Sequence, residues 1–393
     1  MAVSSAARPL VTRLAVTILV AAFSLALGAQ GIPDRQAAPR DPDNPSAGGP
    51  VATLLRTPAI SLSGEVDSNS PAVWELIDGA ARFVVLTSIN GRPSRASGPS
   101  FRALSSPTPV EISPWPGEGV WMEAILRDDD GTWYAFYHNE RTALPCGKAP
   151  LVTPRIGAAR SDDFGITWTN LGILIEAPWT TYECDTFNQY FAGGVGDLSA
   201  MLDRDRQFVY LFFSQYGAKV ANQGIAAARF PWADRDVPVG KTDVWSGGVW
   251  MPAGRIRRGT MTQLLSGIDE TRTRWALPAA TPLFPTGDPW HGSDTIVDAF
   301  WGPSVHWNTH LERYVMLLNR SKDESFAQEG IYVSFNRSLD NPALWSPPVR
   351  ILDGGGWYPQ VIGIEQGGTD TTAGQVARFF LHGRSDFLIR FDR

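Results

Sequence analysis

Three acidic residues stand near the starts of predicted strands, where their side chains could carry out acid–base chemistry. Asp67 precedes one apolar stretch, Asp197 follows a glycine-rich segment, and Glu123 lies between Met122 and Ala124 inside another apolar stretch. Hydrolysis of a glycosidic bond needs two carboxyl groups, one protonated to release the leaving group and one acting as base or nucleophile. An unpaired charge in an apolar strand is costly, so we expect Glu123 to have a functional or ion-paired role. Asp67 and Asp197 fit either a site or a turn cap.

A repeat in the sequence indicates that these acids occupy equivalent strands. Five times, a short apolar strand and a polar turn lead to a second β-rich strand, and the second strands read RFVVLTS, TWYAFYHN, QFVYLFFSQY, RYVMLLNRS and ARFFLHGRS. Such units are typical of propeller blades, because one blade cannot bury its own faces and stacking around an axis buries them. The sequence therefore predicts an all-β, five-bladed β-propeller over residues 51–393, with long loops between strands. The alternative is a β-sandwich or a pair of sandwiches.

The stretch SDDFGITW, residues 161–168, has the composition of a hairpin turn. Asp163 can cap backbone amides of the turn, and Gly165 can adopt the positive φ that such a turn requires. Trp168 would resume the next strand and pack between sheets. We therefore expect a structural device on the outer part of a blade, with no catalytic role.

The five strand–turn–strand phrases, with acids near their starts, resemble the five-bladed propeller glycoside hydrolases. These are the arabinanase, levansucrase and invertase type, including family 43. The most similar pieces are VDSNSPAVW (66–74) and GDLSAMLDRD (196–205), and the resemblance covers residues 60–393 as architecture. The hairpin at 161–168 also resembles the Asp-box of sialidases. Sialidases carry several such boxes and an arginine triad, so the single box disfavours sialidase activity.

The resemblance implies that the innermost strands direct carboxylates into a central funnel, where a third acid orients the sugar and tunes the proton donor. By blade order, Asp67 is predicted as base or nucleophile, Asp197 as the tuning acid and Glu123 as the proton donor. Glu329 is the alternative donor. Polar and aromatic residues near the same strand starts are candidates for substrate binding, namely Asn69, His138, Trp301, His306, Glu329, Tyr358 and Gln360.

Two of these candidates have open alternatives. His306 fits a buried core histidine, or a residue that faces the axis and holds a metal-bound water, as the central histidine of some arabinanases does. His138 fits either a ligand contact or a hydrogen-bond network at the blade edge. Tryptophans in glycine- or proline-rich loops are candidates for stacking on sugar rings; these are Trp115, Trp179, Trp290, Trp301 and Trp357.

The N-terminal segment predicts export. Arg8 and Arg13 precede an apolar run over residues 14–27, followed by small residues, so we expect a signal peptide over 1–29 and a disordered linker over 30–50. The alternative is a single membrane anchor. After cleavage of the signal peptide, the mature protein would be secreted or periplasmic and would not associate with a membrane. In such a compartment the two cysteines, Cys146 and Cys184, predict one disulfide.

Composition and motifs exclude several other classes of function. The formal net charge of −6 and the lack of a long basic run disfavour nucleic acid as a partner. The sequence contains no phosphate-binding glycine loop, no G-x-S-x-G and no H-E-x-x-H, which disfavours nucleotide cofactors, serine esterase chemistry and zincin chemistry.

The sequence thus predicts a secreted, monomeric glycoside hydrolase that acts on an oligo- or polysaccharide. It predicts no metal ligands and no required cofactor, and a structural calcium ion in the central channel is compatible with the fold. The alternative is a non-catalytic propeller that binds carbohydrate or a protein at the same mouth.

Overall fold

Short strands joined by polar turns account for almost all of the regular structure. The computed structural model describes residues 49–62, 64, 66–143, 146–147, 151–188, 190–252, 254–255, 275–276, 278–291 and 296–393. The predicted signal peptide and all but the last two residues of the predicted linker lie outside these ranges. No helix in the described part of the chain is both long enough and apolar enough to cross a membrane.

Five mainly antiparallel sheets follow one another along the chain, and we call them blades 1 to 5. The chain enters through β1 (Val51–Ser61). Blade 1 contains β2 (Ala72–Ile77), β3 (Ala80–Ile89), β4 (Arg92–Gly98) and β5 (Thr108–Pro109). Blade 2 contains β6 (Glu111–Ser113), β7 (Gly119–Arg127), β8 (Trp133–Glu140), β9 (Arg155–Ser161) and β10 (Thr167–Ile175). Blade 3 contains β11 (Val195–Leu202), β12 (Phe208–Tyr216), β13 (Gln223–Pro231), β14 (Asp243–Ser246) and β15 (Val249–Pro252).

The last two blades follow a separate two-stranded hairpin, β16 (Gly254–Arg255) and β17 (Trp275–Ala276). Blade 4 contains β18 (Ile296–Asn308), β19 (Arg313–Asp323), β20 (Gln328–Asn336) and β21 (Val349–Asp353). Blade 5 begins with β22 (Gln360–Gly363), after which β23 (Thr372–Ala373) returns to pair with β18. Blade 5 continues with β24 (Val376–Leu381) and β25 (Arg384–Asp392). Four single 3₁₀ turns lie at Trp179–Thr181, Val220–Asn222, Trp232–Asp234 and Pro342–Leu344.

The two ends of the described chain meet in blade 5. Strand β1 pairs antiparallel with β25, from Val51 opposite Asp392 to Ser61 opposite Arg384. The order within this sheet is β22, β24, β25, β1, so the N-terminal strand forms its outer edge. This pairing closes the ring of blades, which confirms the predicted all-β five-bladed propeller. The five predicted strand pairs are the inner pairs of the five sheets.

One group of buried apolar side chains fills each of the five interfaces between neighbouring blades. Phe136 of blade 2 packs on Phe230 of blade 3 with ring centroids 5.9 Å apart. Phe380 of blade 5 shares a cluster with Phe83 of blade 1, so the last interface is packed like the others. Burial at blade interfaces rather than in one central core is what makes the blades interdependent.

The axis of the propeller is marked by Asn69, which lies just before β2 and is buried. Its side-chain amide donates to the carbonyl oxygens of Leu198 in β11 and Pro303 in β18, at 2.9 and 3.0 Å. One amide group therefore joins blades 1, 3 and 4. The starts of the innermost strands converge around this point, as the propeller prediction requires.

The hairpin at residues 161–168 forms the predicted turn between β9 and β10. Asp163 accepts hydrogen bonds from the backbone N–H groups of Ile166 and Thr167 and from the Thr167 hydroxyl. Gly165 has a φ of +82°, and the indole of Trp168 is buried between blades 1 and 2. This turn lies at the end of β9 that pairs with the start of β8, whereas Glu123 lies in the part of β7 that pairs with the middle of β8.

Candidate active site

A pocket opens where the innermost strands begin. Seven aromatic residues and four ionisable ones line it: Trp121, Tyr190, Phe191, Trp301, Phe326, Trp357, Tyr358, Asp67, His138, Glu140 and Asp197. Its volume is about 100 Å³, whereas one water needs roughly 10–15 Å³. The space therefore holds a group of several heavy atoms, such as a sugar ring. No lysine or arginine is among the described lining residues.

Glu123 and Asp197 both occupy β-bulges. In blade 2, Met122 pairs with Tyr137 and Ala124 with Phe136, so Glu123 is the extra residue. In blade 3 the register likewise shifts between Gly196 and Leu198, and Asp197 between them has a φ of +40°. A bulge turns one side chain out of the regular alternation of a strand. Both carboxylates are in this way directed toward the axis.

Asp67 is held in a bend before β2 by a contact from the opposite end of the chain. The side chain of Gln360 accepts a hydrogen bond from the backbone N–H of Ser70 and donates one to its carbonyl, at 2.6 and 2.9 Å. The carboxylate of Asp67 accepts hydrogen bonds from the side chains of Trp121 and Tyr358. Burial and the neighbouring Asp197 charge nevertheless raise the pKa of Asp67 to about 6.

His138, at the end of β8, lies between the two bulged carboxylates. Its Nδ1 is 3.4 Å from Oε1 of Glu123 and 3.5 Å from Oδ1 of Asp197. Burial opposes protonation of the ring, but the neighbouring acids Asp197 and Glu123 favour the cation and raise the pKa of His138. For Glu123, burial is the main cause of a raised pKa. Its Oε2 accepts a hydrogen bond from the Leu198 N–H at 2.8 Å.

Gly196 is required by the close approach of this imidazole. A Cβ atom at position 196 would lie 2.8 Å from two atoms of the His138 ring. A larger residue would therefore displace the ring from its place between Glu123 and Asp197. The glycine-rich segment before Asp197 thus serves the site as well as the turn.

Asp197 is surrounded by donors. The hydroxyl of the buried Tyr216 donates to its Oδ2, and Oδ1 faces the His138 ring. Ser214 links the bulge to blade 4, because its hydroxyl donates to the Asp197 carbonyl at 3.4 Å and accepts from the Gly302 N–H at 2.9 Å.

The structure brings some of the predicted site residues into the pocket and gives the others different partners. Asp67, Asp197, His138, Trp301 and Tyr358 line it. Glu123 is 2% exposed and lies beneath the lining residues, in contact with two of them.

Four predicted substrate-binding residues do not line the pocket. Asn69 bonds across the axis, and Gln360 holds the Ser70 backbone. Glu329 accepts hydrogen bonds from Arg350 and from the Tyr332 hydroxyl in blade 4. His306 is fully buried and packs against Phe391, with ring centroids 5.4 Å apart.

Several lining residues were not singled out from the sequence. Trp121 lies two positions before Glu123 in one strand, but the bulge at Glu123 interrupts the period-two alternation that could have indicated it. Tyr190, Phe191 and Phe326 lie in loops, where no periodicity identifies them. The loop with Tyr190 and Phe191 is tied to another by the Cys146–Cys184 disulfide, which confirms the predicted pairing.

The residues that could hold a metal ion are Glu123, His138 and Asp197, whose ligand atoms lie within 4.8 Å of one another. The backbone N–H of Asp197, however, faces Nδ1 of His138 at 3.3 Å and occupies the lone pair that an ion would need. This trio therefore fits a metal poorly. A calcium ion in the central channel stays a prediction; both ring nitrogens of His306 lack a hydrogen-bond partner among the described residues, but calcium prefers oxygen ligands.

Comparisons with known proteins concern the fold. No protein family model and no curated protein matches the sequence. An endo-arabinase from Bacteroides thetaiotaomicron VPI-5482 is similar in structure, with 10% identity, a TM-score of 0.48, and coverage of 85% of this chain and 98% of that one. An α-L-arabinanase from Penicillium chrysogenum complexed with arabinobiose has 10% identity and a TM-score of 0.45, covering 84% and 83%. The GH43_1 enzyme from Xanthomonas citri has 14% identity and a TM-score of 0.42, covering 84% and 90%.

Proposed function

We propose that this protein is a secreted glycoside hydrolase that cleaves a glycosidic bond with two carboxyl groups of the pocket, Asp67 and Asp197. The observation that carries the proposal is the difference between the environments of these two acids within one aromatic-walled pocket. Glycoside hydrolysis needs one protonated and one ionised carboxyl group. Environments that push two acids apart in protonation indicate which acid takes which part.

The environments favour Asp67 as proton donor and Asp197 as base or nucleophile. The raised pKa of Asp67, about 6, allows it to carry a proton in mildly acidic solution. Asp197 accepts a hydrogen bond from the Tyr216 hydroxyl on Oδ2, and its Oδ1 is 3.5 Å from Nδ1 of His138, so its side chain is fixed beside Asp67 in the same pocket. Blade order predicts other roles, with Asp67 as base or nucleophile, Asp197 as the tuning acid and Glu123 as the proton donor. Glu123 supports the site from beneath through His138, rather than donating a proton itself.

The lining residues also favour carbohydrate as the substrate. Aromatic faces stack on the apolar faces of sugar rings, and Trp121, Trp301 and Trp357 lie around the acids. The described lining residues include three acids, Asp67, Glu140 and Asp197, but no lysine or arginine, so the pocket disfavours a negatively charged phosphate or sugar acid. The proposed substrates are therefore neutral oligo- or polysaccharides.

The test is a screen of the purified chain without residues 1–29 against arabino-, xylo-, fructo- and galacto-oligosaccharides. Wild type would be compared with Asp67→Asn, Asp197→Asn and Glu123→Gln. The matched control is Asp129→Asn, in an exposed turn of blade 2. We expect product from wild type and the control, and a loss of at least about 1,000-fold in the two aspartate variants. Calorimetric binding of a sugar without product from wild type would instead identify a non-catalytic carbohydrate-binding propeller.

A further inference from the structure

One nitrogen of the pocket histidine has no partner. Nδ1 of His138 faces Glu123, Asp197 and the Asp197 N–H, whereas Nε2 makes no hydrogen bond with any described residue. The residue is 4% exposed and lines the pocket. A buried polar group without a partner costs free energy, so native proteins rarely leave one. A ligand in the pocket that His138 lines would supply the missing partner.

Nε2 carries a proton when Nδ1 accepts the Asp197 N–H, because the neutral ring then holds its one proton on Nε2. A ring that is a cation between the two carboxylates holds a proton on both nitrogens. Nε2 is a donor in each of these two states.

An acceptor lies close to this donor but not within bonding distance. Oε1 of Glu140, two residues further along β8, is 3.8 Å from Nε2 of His138, beyond the range of a hydrogen bond. The two side chains stand on the same face of the strand because alternate residues do so. Glu140 also lines the pocket, where its side chain is 29% exposed.

We propose that His138 and Glu140 form a subsite that recognises a single hydroxyl group of the sugar. Nε2–H donates a hydrogen bond to the hydroxyl oxygen, and the hydroxyl O–H donates a hydrogen bond to the Glu140 carboxylate. An oxygen about 2.8 Å from both atoms fits above a pair separated by 3.8 Å. This inference rests on the proposed function, because it takes a carbohydrate as the ligand, and it adds the group by which that ligand is selected.

A pair of this kind selects strongly for the hydroxyl that it binds. A sugar that lacks the hydroxyl leaves both the donor and the carboxylate unpaired in the pocket, and sites built to bind a hydroxyl reject such analogues. Other hydroxyl positions of the same sugar would matter less.

The test measures binding by calorimetry, with the sugar that binds most tightly in the screen and the analogues in which each hydroxyl is replaced in turn by hydrogen. Wild type should bind one analogue about 100-fold more weakly than the parent sugar. Glu140→Ala should bind the parent sugar more weakly, and should lose most of the difference between the parent and that one analogue. A merely structural role would lower the affinity for all sugars equally.

His138→Gln is the second variant, because a glutamine amide can place an N–H near the position of Nε2. It should keep part of the penalty for the missing hydroxyl, whereas His138→Phe should abolish it. Thermal unfolding would show that each variant is folded before its affinities are compared. Glu140→Ala, near the pocket surface, keeps the test informative where a histidine variant does not fold.

The outcomes separate the two proposals. If wild type binds no sugar in the panel, the proposed function and the subsite both fail. If wild type binds a sugar, but every analogue shows the same penalty in wild type and in Glu140→Ala, the subsite alone is overturned.

Discussion

The hydroxyl of Tyr216 donates a hydrogen bond to Oδ2 of Asp197, and the two residues stand on adjacent strands of blade 3. The bulge directs the aspartate toward the axis, and the tyrosine fixes which of its oxygens remains free. Oδ1 is left facing His138 at 3.5 Å. The orientation of this pocket carboxylate is thus set within one sheet before any ligand binds.

Tyr216→Phe should lower kcat/KM by about 10- to 100-fold with a small effect on folding. The variant removes one hydrogen-bond donor to the buried carboxylate of Asp197, which costs about 1–3 kcal/mol in the transition state if Asp197 acts there as an ionised group. The measurement is kcat/KM on the substrate found in the screen. Tyr210→Phe is the matched control. Tyr210 lies on the same strand, and its hydroxyl donates a long hydrogen bond of 3.4 Å to Asp340. Equal effects of both variants would argue against a role for the Tyr216 hydrogen bond.

The pH dependence of activity should report Asp67. If Asp67 donates a proton, kcat/KM must fall as the pH rises above about 6, where the carboxyl group loses that proton. A kcat/KM profile from pH 4 to 9 checks the sign. A profile that falls on the acidic side of pH 6 and disappears with Asp67→Asn would assign the residue as base, the role that blade order predicts.

Asp67 should also affect the pH dependence of stability. Its pKa rises from 3.8 to about 6 on folding, so the folded state binds more protons between these values and loses stability as the pH rises through them. Asp67→Asn removes this loss. Urea unfolding should show a gain for the variant relative to wild type that grows between pH 4 and 6 and is constant above 7. A difference independent of pH would contradict the raised pKa.

Breaking the Cys146–Cys184 disulfide should destabilise the protein and weaken substrate binding. The two cysteines are 38 residues apart, and a loop of this length predicts a loss of about 4 kcal/mol. The segment that ends this loop leads to Tyr190 and Phe191, which line the pocket. Replacing both cysteines by serine should lower the midpoint of urea unfolding and raise KM. An unchanged KM would show that the disulfide is not needed to position Tyr190 and Phe191 in the pocket wall.

Asp163→Ala should lower stability and leave catalysis unchanged. The variant removes an acceptor of hydrogen bonds from four donors in the turn, for a loss of about 2 kcal/mol. The turn lies beside the start of β8, whereas Glu123 lies opposite the middle of that strand and the pocket residue His138 lies near its end. Asp162→Ala is the matched control, because its bonds to Arg160 are at the surface, where ion pairs contribute little. A changed kcat in Asp163→Ala would contradict this prediction and would show that the turn affects the pocket.

The architecture was predictable because each blade repeats one local pattern. Alternation and turn residues identify the strand pairs, and the need to bury both faces of a blade dictates a closed ring. The disulfide followed from composition in the same way. The axial asparagine could not be assigned as such, because its partners Leu198 and Pro303 lie in distant parts of the sequence.

The candidate site was predictable only in part. Asp67 and Asp197 stand out as acids at strand starts, but a bulge leaves no mark in the sequence that tells Glu123, beneath the pocket, from a lining residue. Gln360 illustrates the same limit. Its partner, the backbone of Ser70, is 290 positions away, and no local pattern distinguishes that structural contact from a contact with a ligand.

The pairing of β1 with β25 has a consequence for how the pocket is assembled during synthesis. Its walls come from both ends of the chain, with Asp67 in the first blade and Tyr358 just before the last. The outermost strand of blade 5 is made before blades 1 to 4 and must wait for its neighbour, Arg384–Asp392. A nascent chain that does not yet include this neighbour therefore has stacked blades but an open ring.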